Sequence, residues 1–292
     1  MTLDYSNERI FVVGGTGNIG SIVVQELVKN GAQVTVYART PAKVEPKNHA
    51  GLTIVQGDFN DWTPLEKALP GHTRLFLLVG DSADITQTKI AIHKKAYAAG
   101  IKQIVEISAR LTAWRKFRIA DYHIEAEQAV YSLPERKGTA YVALRPTNFT
   151  SNLLFYLDPL KNNNTLIDTA DPDEPQELIS TYDIAHVAVR ILGEPIEKHG
   201  DAGYDLVGDV TTPSKRAASL SKTLGRTITY NQVPVKDFYD TLIGAGLDHA
   251  TAYFLSSFQG AEPVSRGLPI LLGGRAPETF DTWAARNKDL LL

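Results

Sequence analysis

The chain has no cysteine and a single methionine. Without cysteine there is no disulfide framework, no thiolate metal site and no thiol redox chemistry. No apolar run approaches the roughly 20 residues that cross a bilayer. The stretch from Met1 to Arg9 is polar, which is not the pattern of a secretory signal. Neither sign of charge dominates: 30 Lys and Arg face 33 Asp and Glu, for a net charge of −3. No global basic field therefore calls for nucleic acid or an anionic membrane surface. The seven histidines are scattered without ligand spacing, so no metal site is expected. Internal repeats and low-complexity tracts are missing too. What is left is an ordinary globular composition, 43% hydrophobic and 22% charged over 292 residues. That length accommodates one large α/β domain, or a cofactor domain with a smaller annex. A cytoplasmic protein is the expectation.

Against this plain background one stretch stands out, Gly14-Gly15-Thr16-Gly17-Asn18-Ile19-Gly20. It follows Ile10-Phe11-Val12-Val13, a short β-branched run that reads as a buried parallel strand. Beyond it Ile22, Val23, Leu27 and Val28 recur at helical spacing until Asn30-Gly31 stops the helix. A second strand, Val34-Thr35-Val36-Tyr37, comes next. Strand, glycine turn, helix and strand in this order form the context in which such glycines bind a dinucleotide. Gly14 supplies the tight turn, Gly17 lets the backbone approach a pyrophosphate, and Gly20 lets helix and strand pack closely. The N–H groups around Asn18 and Ile19 then face the phosphates, with the helix dipole behind them and Thr16 at the rim.

An NAD site places a carboxylate about 20 residues further on, at the end of the second strand. Here that stretch reads Tyr37-Ala38-Arg39-Thr40-Pro41-Ala42-Lys43 and holds no acid. The guanidinium of Arg39 suits bidentate pairing with a 2′-phosphate, and Lys43 could add a second positive charge. A solvated surface arginine is the alternative. The expected cofactor is NADP(H).

The alternation continues with a strand at Leu52–Val55, closed by Gly57-Asp58-Phe59. A short helix starts at Thr63-Pro64, with the threonine hydroxyl as expected cap. Strands follow at Leu75–Val79, Ile104–Ser108 and Tyr141–Leu144, with helices near residues 84–99 and 120–131 between them. The pattern predicts an α/β fold, a doubly wound parallel Rossmann sheet over residues 1–150. A smaller α+β region, residues 151–292, is expected to bind substrate, with a strand near 204–207 returning to the sheet. Residues 168–177 read as an acidic, Pro-punctuated loop. Tyr182-Asp183 opens an amphipathic helix with Ile184, Val187, Ala188 and Ile191 on one face.

Ligands of such sheets lie across the carboxyl ends of the strands. That rule puts Asp58 and Phe59 near the adenine, Val79 and Gly80 near the adenosine ribose, and Ser108 and Ala109 near the nicotinamide. Pro146, Thr147, Asn148 and Phe149 are expected to border the nicotinamide on its far side. Each has a plainer alternative: Gly80 could be only a turn, and Ser108 only a helix cap.

With these motifs the chain resembles the NmrA-like family of atypical short-chain dehydrogenases, and its quinone and isoflavone-type reductase relatives. Beyond the glycine turn and Arg39, the likeness rests on Gly57-Asp58-Phe59, Ile107-Ser108-Ala109 and His123-Ile124-Glu125-Ala126-Glu127. Leu144 to Phe149, Asn152-Leu153, Asp183-Ile184-Ala185, Leu206-Val207-Gly208 and Leu224-Gly225-Arg226 extend it over nearly the whole length. The resemblance implies an NADP-binding Rossmann fold with a small, closely joined C-terminal substrate domain. It also exposes a departure. Catalytic short-chain dehydrogenases carry Tyr-x-x-x-Lys, whereas here His123 stands in the lysine's place and Ile119 in the tyrosine's.

With an unperturbed pKa near 6.5, His123 can hold or donate a proton at neutral pH. A hydrogen bond to the ribose or to a loop carbonyl is the alternative role. Tyr122 is a second potential donor, but adjacent helical residues point about 100° apart, so packing is its expected part. Two functions stay open: NADPH-dependent reduction of a small apolar electrophile, or non-catalytic redox sensing through a regulatory protein partner. An epimerase is disfavoured by the missing tyrosine. A small-molecule substrate is the expected partner, and a homodimer is compatible with the sequence.

Overall fold

In the computed structural model, which describes residues 3–46, 49–80, 82, 84–110, 118–257 and 267–292, the apolar runs become strands. The order is β1 (Arg9–Val13), α1 (Gly20–Lys29), β2 (Gln33–Ala38), β3 (Leu52–Gln56), α2 (Thr63–Ala68) and β4 (Arg74–Leu77). Next are α3 (Ile85–Ala98), β5 (Gln103–Ile107), α4 (Arg118–Tyr131) and β6 (Ala140–Pro146). The chain continues through β7 (Asn148–Phe149), α5 (Asp158–Asn163), β8 (Thr165–Asp168) and β9 (Gln176–Ile179) to α6 (Thr181–Gly193), α7 (Ile196–His199) and β10 (Gly203–Leu206). It finishes with β11 (Asp209–Thr211), α8 (Pro213–Leu224), β12 (Thr229–Gln232), α9 (Val235–Gly244), α10 (His249–Ser257), α11 (Leu268–Leu271), α12 (Phe280–Arg286) and α13 (Lys288–Leu291).

Two compact units result. Met1–Pro146 with Ile184–Asp205 form the first, and Thr147–Asp183 with Leu206–Leu292 the second. The first is built on a seven-stranded sheet in the order β10-β6-β5-β4-β1-β2-β3. The pairs from β3 to β6 are all parallel. This is a doubly wound sheet whose strand order reverses between β1 and β4, so the ligand crevice opens at the carboxyl ends of those two strands. β4 is apolar on both faces beyond Arg74: Leu75, Phe76 and Leu77 are fully buried. Each such side chain contributes about 1.5–3 kcal/mol by leaving water. On α1 the buried stripe is Val23, Val24, Leu27 and Val28; Ile22 turns partly outward and Val24 takes its expected place. Ile184, Val187, Ala188 and Ile191 of α6 are fully buried, as the amphipathic pattern predicted.

Some boundaries differ from expectation for local reasons. β4 ends at Leu77, because after the Leu78 N–H bonds to Val13 O (3.1 Å) the chain turns out of the ladder. Val79 and Gly80 therefore belong to the turn beyond the strand. α2 takes no cap from the Thr63 hydroxyl; the Asp61 carboxylate accepts from the Thr63 N–H instead, at 2.9 Å. The acidic stretch is a loop only in its middle. Asp168 closes β8 and Gln176 opens β9, both held by Arg216.

The second unit is α+β. Its three-stranded sheet, β11-β9-β7, pairs β9 antiparallel to β11 and parallel to β7, and β12 pairs with β8 separately. Its own core gathers Leu153, Leu166, Leu220, Phe238, Leu242 and Trp283.

Candidate functional site

The turn after β1 shows what each glycine does. Gly14 has φ +86°, where an L side chain is strained, and a Cβ there would collide with the Leu78 carbonyl. A Cβ on Gly20 would strike the Gly14 carbonyl, so strand and helix could not approach. Gly17 is different. The nearest protein atom to its Cβ position is 3.6 Å away, so the fold leaves that space open. Thr16, Gly17 and Asn18 are exposed, while Ile19 is buried as the residue preceding α1. The N–H groups of Asn18 and Ile19 meet no acceptor among the described residues. The first turn of α1 also carries no acid. Open donors, a helix N-terminus and room for close approach fit a dinucleotide pyrophosphate.

Arg39 is the first residue beyond β2, and Lys43 ends a short turn whose N–H bonds to Thr40 O at 3.0 Å. Both side chains are exposed, and neither meets an acidic partner among the described residues. At the end of β3, Asp58 turns its carboxylate onto the Asn60 N–H (2.8 Å) and its carbonyl accepts from the Tyr37 hydroxyl (2.7 Å). Phe59 is stacked between Tyr37 and Trp62, with centroids at 6.2 and 5.4 Å. Beyond β4, Val79 is buried and Gly80 exposed, with open space at its Cβ position.

At the end of β5 the Ser108 hydroxyl donates to Glu127 of α4. Arg145 of β6 grips the same carboxylate, Nη2 to Oε2 at 2.5 Å. That hydrogen bond to Glu127 raises the Arg145 pKa against the opposing effect of burial. Ser108 also donates its N–H to Leu144 O at 2.7 Å, and Arg110 next to Ala109 donates to Pro146 O at 3.2 Å. Pro146 is buried at the last position of β6. One turn before Glu127, His123 is buried, with Nδ1 2.6 Å from Lys89 Nζ. Tyr122 points away and packs against the apolar core of the unit. The Ile119 side chain lies outside the described residues.

Lys89 belongs to a polar group that the sequence reading did not pick out. Lys89, His93 and Tyr97 stand four residues apart on one face of α3. Between them and the sheet sits Glu106 of β5, fully buried. Lys89 Nζ is 2.6 Å from Glu106 Oε1, an ion pair outside hydrogen-bonding angles, and His93 Nε2 is 2.6 Å from Oε2. Burial opposes ionisation of this carboxyl. The Lys89 charge and the His93 hydrogen bond prevail and hold its pKa down to about 2. The available signal was Glu106 itself, a charge inside Ile104-Val105-Glu106-Ile107, which a strand buried on both faces admits only with partners.

Of the expected residues, the glycine turn, Val79, Gly80, Ser108, Ala109 and Pro146 thus lie at strand ends of the first unit, and His123 of α4 meets the end of β5 through Lys89. Arg39, Lys43, Asp58 and Phe59 follow at the ends of β2 and β3. Thr147, Asn148 and Phe149 belong to the second unit. There Thr147 N–H bonds to Leu206 O (3.1 Å), and Asn148 Oδ1 accepts from Asn152 (2.5 Å).

Comparison with known proteins agrees with this geometry. The model of the NAD(P)H-binding family matches residues 14–195. Quinone oxidoreductase 2 of Escherichia coli (strain K12) is 29% identical over 254 residues, with 85% of each chain covered. The structure of the NADPH-dependent quinone oxidoreductase from Escherichia coli complexed with NADPH matches at 26% identity and a TM-score of 0.79. It covers 96% of this chain and 99% of that one. NmrA, a negative transcriptional regulator solved in complex with NADP, matches at 17% identity and a TM-score of 0.76. That match covers 96% of this chain and 95% of the other, a likeness of fold.

Proposed function

This chain belongs to the NAD(P)H-binding family, and from that premise we propose that it is an NADPH-dependent reductase of a small apolar electrophile such as a quinone, enone or aldehyde. The observation that carries the cofactor half is the glycine turn: Gly17 leaves room that the fold does not need, beside unpartnered N–H donors. Arg39, with Lys43 near it and no acid between, supports NADPH over NADH. The reductase half is supported by the likeness to quinone oxidoreductase 2 over most of both chains.

When bound, the nicotinamide supplies a hydride. The chain's own residues have the remaining tasks. The Asn18 and Ile19 N–H groups hold the pyrophosphate at the head of α1, and Arg39 holds the 2′-phosphate. Asp58, Phe59, Val79 and Gly80 line the adenosine side. Ser108 does not serve as acid, since its hydroxyl hydrogen is committed to Glu127. His123 is then the proton donor as the substrate oxygen gains negative charge.

The test is NADPH consumption, followed by absorbance, over a panel of quinones, enones and aldehydes. Turnover should fall by about 10²–10⁴ in His123→Ala, the range for loss of a general acid. A second reading, a redox sensor acting through a protein partner, is favoured by the NmrA fold. It takes over if no substrate is turned over while NADP+ and NADPH bind with different affinities.

A further inference from the structure

We propose that Lys89 is a positioning residue that fixes the tautomer of His123, so that the imidazole proton resides on Nε2. The inference rests on the reading of His123 as proton donor, and it identifies what makes that histidine able to donate: as Nε2 gives its proton to the substrate oxygen, Nδ1 takes one from the Lys89 ammonium, so the ring stays neutral.

The argument is one of donors and acceptors. An ammonium has three N–H donors and no acceptor. Lys89 Nζ donates to the Ile107 carbonyl oxygen at 2.9 Å, faces His123 Nδ1 at 2.6 Å and pairs by charge with Glu106 Oε1 at 2.6 Å. Facing a charged donor, Nδ1 has to present its lone pair. A neutral imidazole with an accepting Nδ1 carries its hydrogen on Nε2. Glu106 balances the ammonium, its Oε1 lying 2.6 Å from Nζ with both side chains fully buried. His93 and Tyr97 hold the far side of Glu106, with His93 Nε2 on Oε2 and Tyr97 OH 2.9 Å from His93 Nδ1. Glu127 on α4 faces Ser108 and Arg145 instead. Lys89 is the charge placed directly on Nδ1 of His123.

The cost of this arrangement argues for a use. Lys89 and Glu106 are both completely buried in an apolar layer, where well-packed apolar side chains would serve stability as well or better. The group also sits where orientation matters, at the carboxyl end of β5, whose last carbonyl, that of Ile107, it holds.

The test is the 15N spectrum of His123 in the full chain, with Lys89→Met and the double variant Lys89→Met/Glu106→Gln beside the native protein. The double variant removes both buried charges, so a folding defect of the single substitution does not stop the measurement. In the native protein Nε2 should carry the proton and Nδ1 should not. Both variants should lose this single-tautomer signature, and kcat for the reduced electrophile should fall about tenfold or more with the KM for NADPH unchanged. A native His123 protonated on Nδ1, or a signature that survives in both variants, overturns the proposal. His123→Ala tests the underlying reading separately: full turnover in that variant removes His123 as donor but leaves the tautomer assignment to the spectrum.

Discussion

The Ser108 hydroxyl and the Glu127 carboxylate form a hydrogen bond that ties the end of β5 to the middle of α4. It fixes the turn of α4 that carries His123, and it engages the Ser108 hydroxyl hydrogen. Ser108→Ala should therefore act on stability. Arg145 remains to hold Glu127, so a loss of about 1.5 kcal/mol is expected by denaturant unfolding, the lower end for a bond to a charged group. Turnover should change only severalfold. A drop of about 10² in kcat at unchanged stability would return Ser108 to the chemistry.

Gly17 and Gly20 separate binding from folding. Gly17→Val fills space that the protein leaves open, so NADPH affinity should collapse while the melting temperature holds. Gly20→Val drives a side chain into the Gly14 carbonyl, so here the melting temperature should fall. Calorimetry of both variants checks the contrast. Equal loss of stability in the two would mean that Gly17 is required by the fold.

Arg39→Ala should weaken NADPH binding by about 1.5–3 kcal/mol, the scale of a charged hydrogen bond, and leave NADH nearly unchanged. Titration with both cofactors decides. An equal loss for each would remove Arg39 as the reader of the 2′-phosphate.

Glu106 sets a pH window. Its folded pKa is depressed to about 2 from an ordinary 4.5, so the folded state binds the proton less readily than the unfolded chain does. The stability this contributes is fully present above the unfolded value and is lost as pH falls through the folded one. Unfolding free energy should thus decline between about pH 4.5 and pH 2. In Lys89→Met/Glu106→Gln that part of the slope should vanish. A native-like acid slope in the double variant would assign it to other carboxylates.

Much of the first unit was legible because its strands are buried on both faces, and Ile10–Val13 or Leu75–Leu77 can then be nothing but apolar. The glycine turn was legible because backbone geometry admits few residues there. Cap and end details were not: whether Thr63 or Asp61 caps α2 depends on a single rotamer. β8 and β9 were hidden because their polar ends, Asp168 and Gln176, are satisfied by Arg216, which arrives from α8. For the same reason the Lys89–Glu106–His123 group escaped notice. Its members come from α3, β5 and α4, and only the folded chain brings their spacing down to hydrogen-bond distance.

The return of residues 184–205 to the first unit has a consequence for synthesis and for dissection. When a nascent chain has emerged only as far as Pro146, β6 is still a naked edge. At that stage the Tyr5 hydroxyl lacks its acceptor on Val189 and Arg74 lacks the Ile191 carbonyl. The nucleotide-binding half is therefore completed late, after its partner unit has begun to appear. A fragment cut at the apparent domain border would expose a sticky strand rather than a finished module.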